Sequence, residues 1–224
     1  HLPHCPTLFN GVCSAGTCDG GSRDCSTTDH ISCTIERCDE DLDSCVHDYE
    51  NTGDPCVVSE GGSIQDAIDA VDAGSIVEIE AGTFNLSSTL NINKSLTMRG
   101  SQHGVDPRPF AGTTRTPGSA SETIIDGSAL SGSDSVIDIT EHDVTLDGFE
   151  VRNGPSDLIE GEYSSVKIRN TNILNCIVHD SDTDEAIQLN RAVSCTVSTN
   201  YLYNLPGDGV DLPTSHECHI TKNE

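Results

Sequence analysis

Three columns of aliphatic residues advance together through the second half of the chain, and no ordinary hairpin meander keeps that kind of register. Ile137, Ile159, Ile187 and Val210 are separated by 22, 28 and 23 residues; Leu146, Ile168, Val197 and Ile220 by 22, 29 and 23; Val151, Ile173 and Leu202 by 22 and 29. The common excess of about six at the middle step predicts one insertion between Ile173 and Ile187, around His179–Glu185. Repeats of this length that shift as a unit describe a coil of three short strands per turn. Each strand then pairs in parallel with its equivalent one coil on, roughly 4.8 Å away.

The residues between these columns fit such a stack. Ile76–Ile79, Leu90–Ile92, Leu96–Met98, Ile124–Ile125, Val136–Ile139, Val144–Leu146 and Phe149–Val151 are apolar fragments of two to four residues, separated by Gly, Asn, Asp or Ser. One segment departs from the period of two. Ile64, Ala67, Ile68 and Val71 fall on one face at helical spacing, with Ser63 as N-cap, Asp66 three residues on and Gly74 as the stop. The pattern predicts an all-β stack of about five coils over residues 58–224 that includes, near its start, a short amphipathic helix over 63–73.

Ser63-Ile-Gln-Asp-Ala-Ile-Asp-Ala70, Ile79-Glu-Ala-Gly-Thr-Phe84, Lys94-Ser-Leu-Thr-Met-Arg-Gly100 and Val144-Thr-Leu-Asp-Gly-Phe-Glu-Val-Arg-Asn153 resemble the pectin-lyase-like right-handed parallel β-helix superfamily. The resemblance implies that the helix caps the N-terminal end of the stack. It specifies architecture rather than chemistry, because lyases, hydrolases, epimerases and adhesins share the fold.

Residues 1–57 are of another kind. Cys5, Cys13, Cys18, Cys25, Cys33, Cys38, Cys45 and Cys56 crowd a segment with almost no Val, Ile or Leu, so covalent bridges must replace a hydrophobic core. Their spacings are irregular and lack the paired Cys-x₂-Cys knuckles of zinc sites, so disulfides and an oxidising compartment are expected. Eight cysteines allow 105 pairings. The run Cys33-Thr-Ile-Glu-Arg-Cys38-Asp-Glu-Asp-Leu-Asp-Ser-Cys45 resembles the cysteine-rich repeats of slime-mould and bacterial surface proteins, which implies secretion and surface display. Downstream, Val144, Val166, Cys195 and Cys218 are expected in one inward column. Cys195 and Cys218 would then be stacked neighbours, either within disulfide range or packed as small hydrophobes. Cys176 is left as an odd thiol.

The chain carries 37 acids against 11 bases, a net charge of −26. That disfavours nucleic acid as a partner, since phosphate recognition needs clustered Lys and Arg, and no run is long enough for a membrane span. Asp138, Glu160, Gln188 and Asp211 should face outward on one sheet, with Asp157, Glu162, Asp180, Asp182, Asp184, Glu185 and Asp208 in its flanking turns. Stacked carboxylates repel unless a cation or a proton intervenes, so two readings stand: calcium held by Asp180, Asp182, Asp184, Asp208 and Asp211, or a solvated acidic face on an already acidic chain.

A catalytic set is not assigned. No Lys or Arg falls in the acidic column, where a lyase would need its base. Pro206-Gly-Asp-Gly-Val-Asp-Leu212 is faintly similar to the Asn-Thr-Asp-Gly strand of polygalacturonases but has Pro-Gly in place of Asn-Thr. Asn85-Leu-Ser87 and Asn93-Lys-Ser95 are acceptor sequences for N-glycans. The expectation is an extracellular or cell-surface non-enzymatic unit that self-associates, forms filaments, or contacts glycans or other surface proteins. The alternative is a polysaccharide lyase or glycoside hydrolase, or part of one.

Overall fold

The computed structural model of the chain describes residues 17–18, 21–22, 29–39, 44–49, 55–161 and 168–224. From Cys56 onward the chain winds into a parallel β-helix built from three sheets. The first holds Cys56–Val58, Ile76–Ile79, Thr97–Arg99, Thr145–Asp147, Asn172–Leu174, Thr196–Ser198 and His219–Thr221; the second Gly82–Asn85, Thr123–Asp126, Phe149–Gly154, Ile177–Ser181 and Tyr201–Tyr203; the third Leu90–Ile92, Ile137–Ile139, Ile159–Gly161, Ile187–Leu189 and Val210–Asp211. Every pairing among these strands is parallel.

Period-two strands put one set of side chains inside, and the register stacks them. Val77, Met98, Leu146, Ile173 and Val197 form one fully buried column, and Leu90, Ile137, Ile159 and Ile187 another. Each buried Ile or Leu is worth about 1.5–3 kcal/mol over its exposed state, which lets strands of three residues hold.

The corners are set by backbone conformation. Gly148, Asn175, Thr199 and Lys222 follow successive strands of the first sheet with positive φ, and in the second Asn153 and Asp180 take it one residue before the strand ends and Asn204 just after. Asp143, Asn170, Ser194 and Glu217 enter the first sheet in the same left-handed state. Their amides bond from coil to coil, as Asp143 N–H to Arg169 O at 2.9 Å and Asn170 N–H to Val193 O at 3.1 Å. Asn and Asp tolerate this region better than other non-glycine residues, which accounts for their recurrence between the strands.

Two columns of the sequence reading need correction. Leu146 pairs with Ile173, not Ile168, and Val151 pairs with Val178, not Ile173. The extra residues therefore lie between Ile159 and Asn172, a span that includes residues 162–167, and not around His179–Glu185. Ile168 is itself buried at that corner, so hydrophobicity alone did not separate the two choices. The place expected for Val166 in the Val144 column is taken by Thr171, which is fully buried.

The helix runs Ile64–Ala70, with Ser63 accepting from Asp66 N–H at 3.1 Å, and ends short of Gly74. The Lys94 ammonium stops it by taking the carbonyls of Asp69 and Val71, both at 3.0 Å. It packs on Cys56–Val58, Ile76–Ile79 and Leu90–Ile92, closing that end of the stack. The cysteine-rich segment joins there. Ile31 bridges Val58, Ser32 N–H bonds Val57 O at 2.8 Å, and a Cys33–Cys56 disulfide fixes the junction with a Cα separation of 4.9 Å. Strand Cys56–Val58 thus crosses the expected boundary at residue 57. Thr34–Asp39 and Ser44–Tyr49 form a hairpin that sets Cys38 opposite Cys45, and Thr17–Cys18 pairs with Gly21–Ser22. Cys5, Cys13 and Cys25 lie outside the described residues.

Candidate functional site

The acidic column forms as expected on the third sheet, with Asp138, Glu160, Gln188 and Asp211 in register. The same register places Asp157, Glu185 and Asp208 at equivalent positions three residues ahead of Glu160, Gln188 and Asp211. Asp157, Asp184 and Glu185 converge, each offering a carboxylate oxygen within 4.8 Å of the others. Asp157 is buried and accepts from Glu185 N–H at 3.1 Å. Glu185 Oε2 is enclosed and has no hydrogen-bond partner.

Crowding decides the ionisation of this corner. Glu185 is pushed up to about 7, first by a hydrogen bond with the Asp184 carboxylate, then by burial and by Asp157. Burial, then the charges of Asp184 and Asp211, also raise Asp157. Such a group holds a proton or a cation in place of full charge. Of the five residues expected to bind calcium, Asp184 joins this cluster and Asp211 lies close enough to act on it electrostatically. Asp182 and Asp208 are exposed and outside it. Asp180 is turned away, accepting from Asn204 Nδ2 at 3.0 Å and meeting His179 Nδ1 at 2.7 Å.

A second constellation lies on the outer face of the second sheet, where Asp126, Arg152, His179 and Tyr203 follow one another in register. Arg152 grips two carboxylates, Asp126 at 2.8 Å and Glu150 at 3.1 Å. His179 Nε2 lies 3.2 Å from Glu150 Oε1, and the imidazole stacks on Tyr203 at 4.5 Å. Glu150 is fully buried because residues 101–122 fold over it, Gly118 N–H donating to its Oε2 at 2.6 Å.

That loop is fastened by a buried ion pair. Arg115 contacts Glu122 through Nε at 3.1 Å and Nη2 at 2.7 Å, and donates further to the carbonyls of Val105, Asn175 and Phe149. Burial opposes the charge on Glu150, yet the hydrogen bonds of His179 and Gly118, with the charges of His179 and Arg152, hold it below the usual glutamate range. Burial likewise opposes Asp126 and Asp180. Arg152, Ser128 and Asn153 outweigh it at Asp126, and His179 and Asn204 outweigh it at Asp180. Tyr203 is pushed up to about 12 by burial and the neighbouring carboxylates.

Glu150, His179, Arg115 and Glu122 have no signature in the sequence, since their partners lie up to 60 residues away across sheet and loop. A hint is present only in Glu150, a charge set between the buried Phe149 and Val151. A shallow groove of about 530 Å³ lies on the first coils of the stack, lined in part by Glu78, Glu80, Arg99, Ser101 and His103. Arg99 Nη1 reaches Glu78 there at 3.4 Å. Asn85 and Asn93 are both exposed.

The chain matches no protein-family model, and it is similar at a significant level to no curated protein and to no solved structure.

Proposed function

We propose that the chain is an extracellular or cell-surface β-helix unit of the pectin-lyase-like type, serving assembly or glycan contact rather than catalysis, with calcium held at the Asp157–Asp184–Glu185 corner. The observation that carries this reading is the outer face of the second sheet. Its acid, base and histidine side chains are engaged with one another, with Glu150 held beneath the loop, an arrangement that stabilises a scaffold. The Cys33–Cys56 bridge supports an oxidising location. The acidic corner supports a hard divalent cation, whose charge would replace the proton that Glu185 otherwise retains.

Calorimetric titration of the full chain with calcium, alongside sedimentation with and without the ion, tests the reading. Saturable calcium uptake by the native chain, lost in Asp157→Asn/Asp184→Asn, is expected. Self-association or retention on a glycan array is expected beside it. Monomeric chains that bind no calcium and no glycan would overturn it.

One observation favours the alternative of polysaccharide lyase or hydrolase chemistry: the groove at Arg99 brings an arginine, two glutamates and a histidine to an open surface. Release of unsaturated uronates or reducing ends from a polysaccharide panel, abolished by Arg99→Ala, is its test.

A further inference from the structure

Strands Thr196–Ser198 and His219–Thr221 pair so that Thr196 faces His219, which sets Cys195 and Cys218 side by side on adjacent strands. His219 N–H bonds Cys195 O at 2.8 Å and Ser194 N–H bonds His216 O at 3.0 Å, so backbone hydrogen bonds fix the pair on both sides. Neighbouring parallel strands lie about 4.8 Å apart, inside the Cα range that a disulfide spans. The side chains share one direction: Cys195 N–H points at Cys218 Sγ, 3.4 Å away. Both are free thiols in this structure.

Their exposures differ in a way that matters. Cys195 is 1% exposed, whereas Cys218 is half-buried and open to reagents. Cys176, the third free thiol, is enclosed and pushed up to about 11 by burial, so it is neither accessible nor readily ionised.

We propose that Cys195 and Cys218 form a redox-responsive disulfide, with Cys218 as the thiol that meets the oxidant and Cys195 as the thiol that resolves it. The oxidant is a low-molecular-weight disulfide. In the first step the Cys218 thiolate attacks one sulfur of that molecule, forming a mixed disulfide and releasing one small thiol. In the second the Cys195 thiolate attacks Cys218 Sγ and expels the other small thiol. Two protein thiols are oxidised, one small disulfide is reduced to two thiols, and the protons lost by the cysteines leave on those thiols. The bond would tie the backbone around residues 217–224 covalently to the coil beneath it, across a separation of 23 residues.

The test equilibrates the folded full chain with glutathione and glutathione disulfide at stepped ratios, quenches with acid, alkylates, and maps peptides by mass spectrometry. Expected is a Cys195–Cys218 cross-linked peptide that accumulates as the ratio turns oxidising and disappears as it turns reducing, while Cys176 stays reduced. Cys195→Ser should trap glutathione on Cys218, and Cys218→Ser should leave Cys195 unmodified. Hydrogen exchange at residues 217–224 should slow in the oxidised wild type and in neither variant. Persistence of the glutathione adduct on Cys218 in the wild type, or two alkylated thiols at every ratio, would overturn the proposal.

Discussion

Arg115 and Glu122 form a two-pronged ion pair whose side chains are only 1% and 0% exposed, and this pair fastens residues 101–122 over the second sheet. Removing one partner strands the other charge away from water. Arg115→Met should therefore destabilise the fold by about 3–5 kcal/mol, read from urea unfolding. Arg115→Met/Glu122→Leu should recover much of that loss, because no lone charge remains. A double variant as unstable as the single one would refute this account of the loop.

The carboxylates predict opposite behaviour at the two ends of the pH scale. Glu185 moves up from an ordinary value of 4.5 to about 7, so its contribution is complete below 4.5 and is lost as pH rises through about 7. In chelator, thermal stability should fall between about pH 4.5 and pH 7, and Glu185→Gln should flatten that fall. Glu150, Asp126 and Asp180 are lowered, so their contribution is present above the ordinary carboxylate range and disappears as pH drops below it. Melting temperatures across the pH range check both limbs.

Asn200 is fully buried, accepting from Cys176 N–H at 2.8 Å and donating to Ile173 O at 3.0 Å, while Asn223 repeats the position in the next coil. Asn200→Leu keeps the branched shape but orphans a buried donor and a buried acceptor. A loss of about 2–3 kcal/mol in chemical denaturation is the expected outcome.

Gly148 combines a φ of +83° with close approach, since a Cβ there would strike the backbone of Gln102 and His103. Gly148→Ala should cost roughly 3 kcal/mol, from crowding and left-handed backbone together. Gly104 has a φ of +74° with open space around it, so Gly104→Ala isolates the backbone effect at about 1 kcal/mol. Equal losses at the two sites would show that the approach of the loop to this corner is unimportant.

Much of the architecture was legible because a parallel stack writes its register into the spacing of inward residues. The Ile137, Ile159, Ile187 and Val210 column is found as read. The Leu146 column slipped because the coil after Ile159 is longer and offers Ile168, Ile173 and Val178 at intervals of five. All three are buried, and only the backbone pairing distinguishes them. The acidic column was legible for the same reason as the apolar one. The Asp157–Asp184–Glu185 cluster was legible only as turn acids, because which carboxylates converge depends on the corner conformation. The Glu150–His179–Arg152 group was hidden, since its burial is imposed by a loop whose docking has no periodicity.

The left-handed corners carry a consequence for how such a molecule can vary. Within a strand, one inserted residue would exchange the inner and outer faces of everything up to the next corner. At a corner, added chain leaves the faces unchanged, as the Ser101–Glu122 excursion and the longer passage between Ile159 and Asn172 both illustrate. New surface can therefore accumulate at the edges of the stack while its interior stays the same, and variation among proteins built on this plan should concentrate where the chain turns.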